Sequence, residues 1–288
     1  MADSLSSWLA LREPADAAAR SVALTHAIVD RLPRDRPPRI VDLGTGTGSN
    51  VRYLANHLPG ESHWLLVDRD PALLSEATRR MAEERNDHEK RRDFGGQENK
   101  IVTETREMNL GVLDPAIVER RDLVTASALL DLVSETWLRA LASACRQAGA
   151  AALFALTYNG RSRCSPAEPE DGAICDLLNR HQRHNDKGFG RAAGPDAAAA
   201  AERWFADAGY HVERAPSDWV LAPDARELQR QLIEGWAEAA REIATEQIAM
   251  IDDWLRRRLG HVDAGRSHVV VCHDDLAAWL PREHPVRK

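Results

Sequence analysis

The sequence predicts an α/β protein built on a doubly wound, mostly parallel sheet of seven strands. Short apolar runs alternate with helical patterns along the first 160 residues, which is typical of strands joined by crossover helices. A glycine-rich turn follows the first of these runs directly. The chain has 288 residues, of which 43% are hydrophobic, so it can bury a sizeable core.

Composition narrows the classes of partner. The chain carries 38 basic and 45 acidic residues, a net charge of −7, so we expect no nucleic-acid partner. The longest apolar run, Ala148 to Leu156, is far shorter than the roughly 20 residues that span a bilayer, and no secretory signal pattern begins the sequence. Four scattered cysteines indicate reduced thiols. We therefore expect a soluble, cytoplasmic protein with no membrane partner.

The elements follow from apolar periodicity and from Gly and Pro positions. Residues 1–32 have helical spacing, and the prolines between residues 33 and 39 end that helix. The predicted strands cover residues 40–43, 64–67, 101–108, 123–128, 150–157, 211–221 and 269–272. The predicted helices cover 51–58, 72–85, 135–147, 173–184 and 197–208, and apolar residues from 228 to 255 indicate one long helix or two shorter ones. The polar stretch 86–100 is predicted to be a solvated loop.

This pattern gives three segments. Residues 1–38 form an N-terminal helical segment, 39–160 a ligand-binding core, and 161–288 the rest of the sheet with helical insertions. Because ligands of doubly wound sheets lie at the carboxyl ends of the strands, we expect insertions after the fifth strand to face the site.

The most informative segment is the turn after the first strand, Asp42-Leu43-Gly44-Thr45-Gly46-Thr47-Gly48. Glycines let the backbone turn sharply and approach a ligand, and the next helix presents free amides. The dinucleotide fingerprint needs its third glycine where Ser49 stands, and Gly48 comes one place early. The acidic Asp42 would favour a ligand that carries an ammonium group near the turn. A glycine turn without any ligand is the structural alternative.

This motif resembles the first motif of class I S-adenosylmethionine-dependent methyltransferases, and residues 122–131 resemble their fourth. The resemblance implies S-adenosyl-L-methionine as the cofactor, an antiparallel last strand, and contacts from the turn to the amino-acid end of the cofactor. It further implies that Asp68 binds the ribose hydroxyls, and that Asn109, where the family often has Asp, lies beside the adenine. The cofactor-binding residues expected from it are Arg20, Asp42, Gly44, Thr45, Gly46, Gly48, Asp68, Arg69, Asn109, Leu110 and Ser127. Arg20 would pair with the carboxylate of the cofactor, or form a surface salt bridge instead.

The acceptor side has no diagnostic motif. Asp131 and Tyr158 follow the fourth and fifth predicted strands and could orient or deprotonate an acceptor; a helix-capping Asp and a core-edge Tyr are the structural alternatives. His181 and His184 lie in the polar segment 181–190 and are further candidates for a general base, with Gly188 and Gly190 allowing a lid. A zinc site of Cys164, Cys175, His181 and His184 has unsuitable spacing, so we expect no metal.

The sequence therefore favours methyl transfer to a small-molecule acceptor. The alternatives left open are a protein or RNA methyltransferase, a nicotinamide-dependent oxidoreductase, and a non-catalytic protein that binds the cofactor. The acceptor and the oligomeric state are not encoded in any recognisable motif.

Overall fold

The computed structural model describes residues 2–90, 100–184, 186 and 188–281. Its sheet contains β1 (Arg39–Leu43), β2 (Ser62–Asp68), β3 (Ile101–Glu107), β4 (Leu123–Ser127), β5 (Ala151–Ser165), β6 (His211–Pro216), β7 (Trp219–Leu221) and β8 (His268–Trp279). The strand order is β3-β2-β1-β4-β5-β8-β6, and β7 also pairs with β8. The first five strands are parallel, whereas β8 is antiparallel to β5, β6 and β7. The predicted fold class is thus confirmed.

The helices are α1 (Ala2–Ala19), α2 (Val22–Val29), α3 (Ser49–Ala55), α4 (Pro71–Lys90), α5 (Glu135–Ala148), α6 (Asp171–His184), α7 (Ala197–Asp207), α8 (Arg226–Ile243) and α9 (Ile248–Asp263). Strand residues alternate between the two faces of the sheet. In β1, Ile40 packs with α2, α3 and α4, whereas Val41 packs on the opposite face with α5 and α7. Burial on both faces is the reason that β1 and β4 are mostly apolar.

The prediction of one N-terminal helix over residues 1–32 is wrong in one respect, because the first helix ends at Ala19 and a second begins at Val22. Ser21 begins a second helix by accepting a hydrogen bond from the Leu24 amide (3.3 Å), and its own amide donates to Asp275 Oδ2 (2.8 Å). The apolar spacing continues across this break, so periodicity alone did not reveal it.

Two other predictions need correction. The loop predicted over 86–100 begins later, because α4 continues to Lys90; residues 91–99 lie outside the described residues. The sixth predicted strand is divided into β6 and β7 at Ser217 and Asp218, where Asp218 Oδ1 accepts a hydrogen bond from the His273 amide (3.1 Å).

The fifth and last strands are longer than predicted. β5 continues through Ser165 and β8 through Trp279, because each supplies the hydrogen-bonding partner of the other over most of its length. Tyr158 and Asn159 therefore lie inside β5 rather than after it. The register shifts twice along this pair, between Phe154 and Thr157 and between Tyr158 and Ser162.

The helical insertions predicted in the second half of the chain are α6, α8 and α9, and the long apolar pattern from 228 to 255 is two helices. They pack together beside the extended part of β5. Arg258 of α9 is fully buried and is paired with Asp171 at the start of α6. In the part of the chain that the structure describes, no helix is both long and apolar enough to cross a bilayer.

Candidate functional site

A cavity of about 310 Å³ lies at the carboxyl ends of β1, β2, β3 and β4. This is the edge at which doubly wound sheets bind ligands, next to the point where the strand order reverses between β1 and β4. Its lining comes from α1, the turn between β1 and α3, the first residues of α3, Leu73 of α4, the ends of β2, β3 and β4 with the residues after them, and Phe189. The carboxyl ends of four strands thus bring together residues that are far apart in sequence.

The glycine turn forms the floor of the cavity, with Gly44, Thr45, Gly46 and Thr47 in its lining. Gly46 has a positive φ of 54°, and a Cβ atom there would lie 3.1 Å from Leu9 Cδ1 of α1. A side chain at this position would therefore strain the backbone and push against α1. Gly48 caps α3 with φ 81° and is not part of the lining.

Asp42 lies behind the cavity rather than in its lining. Its carboxylate accepts hydrogen bonds from Thr45 Oγ1 and Asn50 Nδ2, both at 2.6 Å, and these two partners do line the cavity. Burial raises the pKa of Asp42 to about 6. The acidic residue of the motif therefore fixes the side chains of Thr45 and Asn50, and it does not itself line the cavity.

Asp68 lines the cavity at the end of β2, where it was predicted. Its Oδ2 accepts a hydrogen bond from the Gly46 amide (2.8 Å) and its Oδ1 accepts one from the Asp70 amide (3.1 Å). The carboxylate is half-buried, so lone pairs remain for a ligand. These two backbone bonds hold Asp68 in a fixed orientation next to the glycine turn.

The predicted adenine side is formed by the end of β3. Asn109 and Leu110 line the cavity, and Asn109 Oδ1 accepts a hydrogen bond from the Gly111 amide (2.9 Å). Phe189 covers this side and stands edge-on to Trp137, with 6.0 Å between ring centroids. Arg69 and Ser127, also predicted, lie in the lining as well.

Part of the polar segment 181–190 closes over this side. Gly188 packs against Gly111 so closely that a Cβ atom on Gly111 would lie 2.0 Å from the Gly188 carbonyl oxygen. Asp186 Oδ1 accepts hydrogen bonds from the amides of Gly188 and Gly190 (2.8 and 3.0 Å) and shapes the turn. Asn185 and Lys187 lie outside the described residues. The segment predicted to be a lid thus covers the cavity through Phe189, and its movement stays a prediction.

Arg20 does not line the cavity, although we expected it to meet the cofactor. It is buried, stacked 4.4 Å above the Tyr53 ring, with Nη1 donating to Asn50 Oδ1 (2.7 Å) and Nε 3.5 Å from Asp275 Oδ2. Neither predicted role, cofactor contact or surface salt bridge, matches this environment. Arg20 supports the site indirectly, because Asn50 also donates to Asp42.

Helix α1 supplies lining residues that sequence analysis missed. Leu5, Leu9, Arg12 and Asp16 face the cavity with the spacing of one helical face. Arg12 Nε and Nη2 donate to Asp16 (2.9 and 3.2 Å), and Asp16 Oδ1 accepts from Trp219 Nε1 (3.0 Å). An ion pair next to two apolar residues on one helical stripe was the available signal.

None of the four predicted catalytic residues belongs to the cavity lining. Asp131 is buried in the turn after β4, between the lining residues Leu129 and Leu132. Tyr158 is buried, its hydroxyl 3.8 Å from Cys175 Sγ, and burial raises its pKa. His181 Nε2 is 2.8 Å from Glu242 Oε2, and His184 is exposed at the end of α6.

The four residues considered for zinc are not brought together as a metal site. Cys175 Sγ donates to the Gly160 carbonyl oxygen (3.3 Å). Over residues 2–90, 100–184, 186 and 188–281, no group of three or more His, Cys, Asp or Glu side chains is arranged to hold a metal ion.

A row of polar side chains beside the cavity was not predicted. His273 of β8 is paired with Tyr158 of β5, and its carbonyl oxygen accepts from the Ser217 amide (2.9 Å). Its ring lies 5.2 Å from that of Trp219, which contacts the cavity residues Arg12 and Asp16. Burial and the charge of Arg12 lower the pKa of His273 to about 4. Among the described residues, His273 Nδ1 and Ser217 Oγ are buried without a hydrogen-bond partner.

Comparisons with known proteins give structural similarity alone. No protein-family model and no curated protein sequence matches the chain. Among solved structures, the cyclopropane synthase MmaA2 from Mycobacterium tuberculosis is similar over 90% of this chain and 83% of its own, at 10% identity and a TM-score of 0.43. Phosphoethanolamine N-methyltransferase 2 from Haemonchus contortus, in complex with S-adenosyl-L-methionine, is similar over 91% of this chain at 15% identity and a TM-score of 0.41; the chain spans 53% of its length.

A third similar structure is geranyl diphosphate methyltransferase in complex with GPP and sinefungin. It is similar over 89% of this chain and 77% of its own, with 14% identity and a TM-score of 0.44. Identities and scores this low leave the functional conclusion to the residues of the cavity.

Proposed function

We propose that this protein is an S-adenosylmethionine-dependent methyltransferase that acts on a small-molecule acceptor. One observation carries the proposal: a single cavity is lined by the glycine turn Gly44–Thr47, by Asp68, and by Asn109 with Leu110. These are the positions that the resemblance to class I methyltransferases associates with the amino-acid, ribose and adenine parts of the cofactor.

The cavity suits such a ligand in size and in chemistry. Its volume of about 310 Å³ falls at the lower end of the roughly 300–1,000 Å³ typical of ligand sites. Asp68 offers two carboxylate oxygens, each already oriented by a backbone amide, and a diol can donate to both. Gly46 leaves the turn without a side chain where a ligand would lie against it.

When bound, the cofactor would supply a methyl group on a positively charged sulfur, with a neutral thioether as leaving group. The protein has to align the acceptor with that carbon and exclude water. Helix α1 and Phe189 cover the cavity on two sides, which suits both tasks. This enclosure also favours a small acceptor over a protein or RNA chain.

An acceptor hydroxyl or protonated amine must also lose a proton. Of the four predicted catalytic residues, Asp131 is the best candidate, because its turn contributes Leu129 and Leu132 to the cavity. Tyr158 suits the role less well, since its raised pKa keeps the phenol protonated. His181 is held against Glu242, and His184 faces solvent.

The proposal is tested by calorimetric titration with S-adenosylmethionine, S-adenosylhomocysteine and NADH. We expect both adenosyl ligands to bind, and Asp68→Ala to weaken them about 10-fold or more, because the ribose hydroxyls lose a charged acceptor. Asp224→Ala, an exposed carboxylate outside the lining, is the matched control and should bind as the wild type does.

The outcomes separate the alternatives. Binding of NADH alone would replace the proposal with a nicotinamide-dependent oxidoreductase. Adenosyl binding with no methyl transfer to any compound in an acceptor screen would favour a non-catalytic cofactor-binding protein. Equal loss of affinity for the adenosyl ligands in the Asp68 and Asp224 variants would show that Asp68 makes no specific contribution to binding.

A further inference from the structure

Beyond the parallel part of the sheet, β5, β8 and β7 form a three-stranded antiparallel extension. One face of this extension packs on helices, since Val269, Val271 and Trp219 belong to the apolar cluster of α6, α8 and α9. Side chains alternate along a strand, so the residues between them lie on the opposite face. We call that side the outer face, and its residues are Arg161, Arg163, Asp218, Val220, Val270 and Cys272.

The outer face combines apolar and basic groups at the surface. Val220 is 74% exposed although it lies in a strand. It pairs across strands with Val270, which is half-buried and pairs on its other side with the exposed Arg163. These three residues form one row across β7, β8 and β5. Burying the two valines would be favourable, and a partner must also meet the charge beside them.

Opposite charges flank the central strand of the outer face. Cys272 of β8 lies between Arg161 on the β5 side and Asp218 on the β7 side. Burial and the Asp218 carboxylate raise the pKa of the Cys272 thiol, whereas Arg161 and Arg163 lower it, so all three charges are close to this thiol. Within the described part of the chain, neither arginine and not Asp218 has an ion-pair partner; Arg161 Nε donates to Asn159 Oδ1 at 3.4 Å.

A two-fold axis along β8 would match this arrangement to a copy of itself. Rotation about such an axis carries the β5 side of one copy over the β7 side of the other. Arg161 then faces Asp218 of the second copy, and symmetry repeats the pair. Residues in the middle of the axis meet their own counterparts, and these are the uncharged Val270 and Cys272. A foreign anionic partner would match the arginines but would place a like charge against Asp218.

We propose that the outer face is the contact between two copies of this chain, related by a two-fold axis along β8. Two sheet faces pack in this way with their strands roughly aligned. Three strands about 4.8 Å apart make a narrow contact, below the roughly 800 Å² per partner of a standard interface, so we expect a dimer that dissociates at micromolar concentrations. The outer-face residues do not line the cavity, and the inference is independent of the proposed function.

The first test is sedimentation equilibrium of the full chain over about 1–500 μM. We expect a reversible dimer in the wild type. Val270→Asp puts two carboxylates opposite one another on the axis and should raise the dissociation constant ~30-fold or more. Val102→Asp, which changes an exposed valine of β3, is the matched control and should dimerise as the wild type does. A wild type that stays monomeric throughout, or equal effects of the two variants, would overturn the proposal.

A charge reversal tests the predicted pairing. Arg161→Asp places carboxylates opposite Asp218 twice in each dimer and should weaken association ~10- to 100-fold. Asp218→Arg should weaken it as well, and the double variant should recover most of the affinity. Asp218→Arg and the double variant both lose the bond to the His273 amide, so the difference between them reports the charge match alone. No recovery in the double variant would contradict the proposed axis.

Cross-linking gives a measurement that does not depend on a disruptive change. In a Cys272→Ser background, Val270→Cys should be joined to its counterpart by a short bis-maleimide, whereas Val102→Cys should not. Melting temperatures close to that of the wild type would show that the variants are folded. A dimer in which Val270→Cys is not cross-linked more than Val102→Cys would use another surface, and the proposal would then be wrong.

Discussion

At the scale of single residues, the site depends on polar groups that are buried and fixed before any ligand arrives. Asp42 is an example, since its carboxylate is fully enclosed and holds Thr45 and Asn50 in place. Burial raises its pKa, which means that its charge costs stability at neutral pH. The local sequence motif shows that an acidic residue lies in this turn. It could not predict that Thr45 and Asn50 would both donate hydrogen bonds to its carboxylate.

His273 gives a pH-dependent prediction at this scale. Its folded pKa of about 4 lies below the 6.5 of an unfolded histidine, so the unfolded chain takes up a proton first as the pH falls. The folding stability that depends on neutral His273 is therefore complete above pH 6.5 and is lost progressively toward pH 4. In His273→Gln this loss is absent.

When the pH is lowered from 7.5 to 4.5, we expect the unfolding free energy of the wild type to fall by roughly 2–3 kcal/mol more than that of His273→Gln. Urea unfolding at both pH values measures it. Asp42 titrates in the same window with the opposite sign, but it is present in both proteins and cancels in the difference. His184→Gln, which changes an exposed histidine, should show no such shift.

At the scale of elements, α1 is joined to the rest of the molecule by polar contacts as well as by apolar packing. Glu13 Oε1 accepts from Arg52 Nε and Nη2 (2.9 and 2.6 Å), while Arg52 Nη1 donates to the Thr47 carbonyl oxygen in the glycine turn (2.7 Å). Arg52 is buried, with 5% of its side chain exposed. One ion pair thus connects the helix that covers the cavity with the turn that forms its floor.

Removing this carboxylate should loosen α1. Because Glu13→Ala leaves Arg52 buried and without its best partner, we expect a loss of about 1–3 kcal/mol in unfolding free energy, together with faster hydrogen exchange in α1. Chemical unfolding and exchange mass spectrometry measure the two effects. Asp30→Ala breaks an exposed ion pair with Arg34 and should change stability by less than about 0.5 kcal/mol. Equal effects in the two variants would contradict this account.

Elements were predictable where local pattern determines them, and not where distant partners do. Strands β1, β2 and β4 each contain an apolar run because both faces are buried there, and this is visible in the sequence. The break between α1 and α2 depends on Asp275, more than 250 positions away in the chain. Likewise, residues 159–165 lack an apolar pattern and become strand because β8 pairs with them.

The same distinction applies to the candidate site. The turn, Asp68 and Asn109 were expected from the family resemblance, and they line one cavity because the ends of parallel strands meet at one edge of the sheet. Arg12 and Asp16 did not, because their role depends on how α1 packs across Gly46 and Trp219. The buried row of His273 and Ser217 exists only through the pairing of β8 with its neighbours.

At the scale of the whole molecule, Asp275 joins three distant parts of the fold. Its Oδ2 accepts from the Ser21 amide (2.8 Å) and lies 3.5 Å from Arg20 Nε, and its Oδ1 accepts from the Leu156 amide (2.8 Å). Leu156 has a positive φ of 55° at the first irregularity in β5. A non-glycine residue rarely adopts that conformation, and the bond from Asp275 helps to hold it.

We expect Asp275→Asn to destabilise the protein by about 3 kcal/mol or more, because it removes the charge that offsets buried Arg20 and turns one acceptor into a donor. Asp274→Asn is the matched control. Asp274 is the sequence neighbour of Asp275, but it is only half-buried, and its carboxylate lies 4.0 Å from the guanidinium of Arg214. This substitution should cost less than about 1 kcal/mol. Thermal and chemical unfolding of both variants would decide the matter, and similar losses would count against the assigned role of Asp275.

The placement of β8 between β5 and the pair β6 and β7 has a consequence for synthesis. Residues 268–279 leave the ribosome after every other strand of the sheet, yet they complete its interior. Until then, β5 is an edge strand with an apolar run and unpaired backbone groups, a state that associates readily with other chains. The nascent chain is therefore most vulnerable to aggregation late in translation, when a chaperone that shields β5 would raise the yield of folded protein.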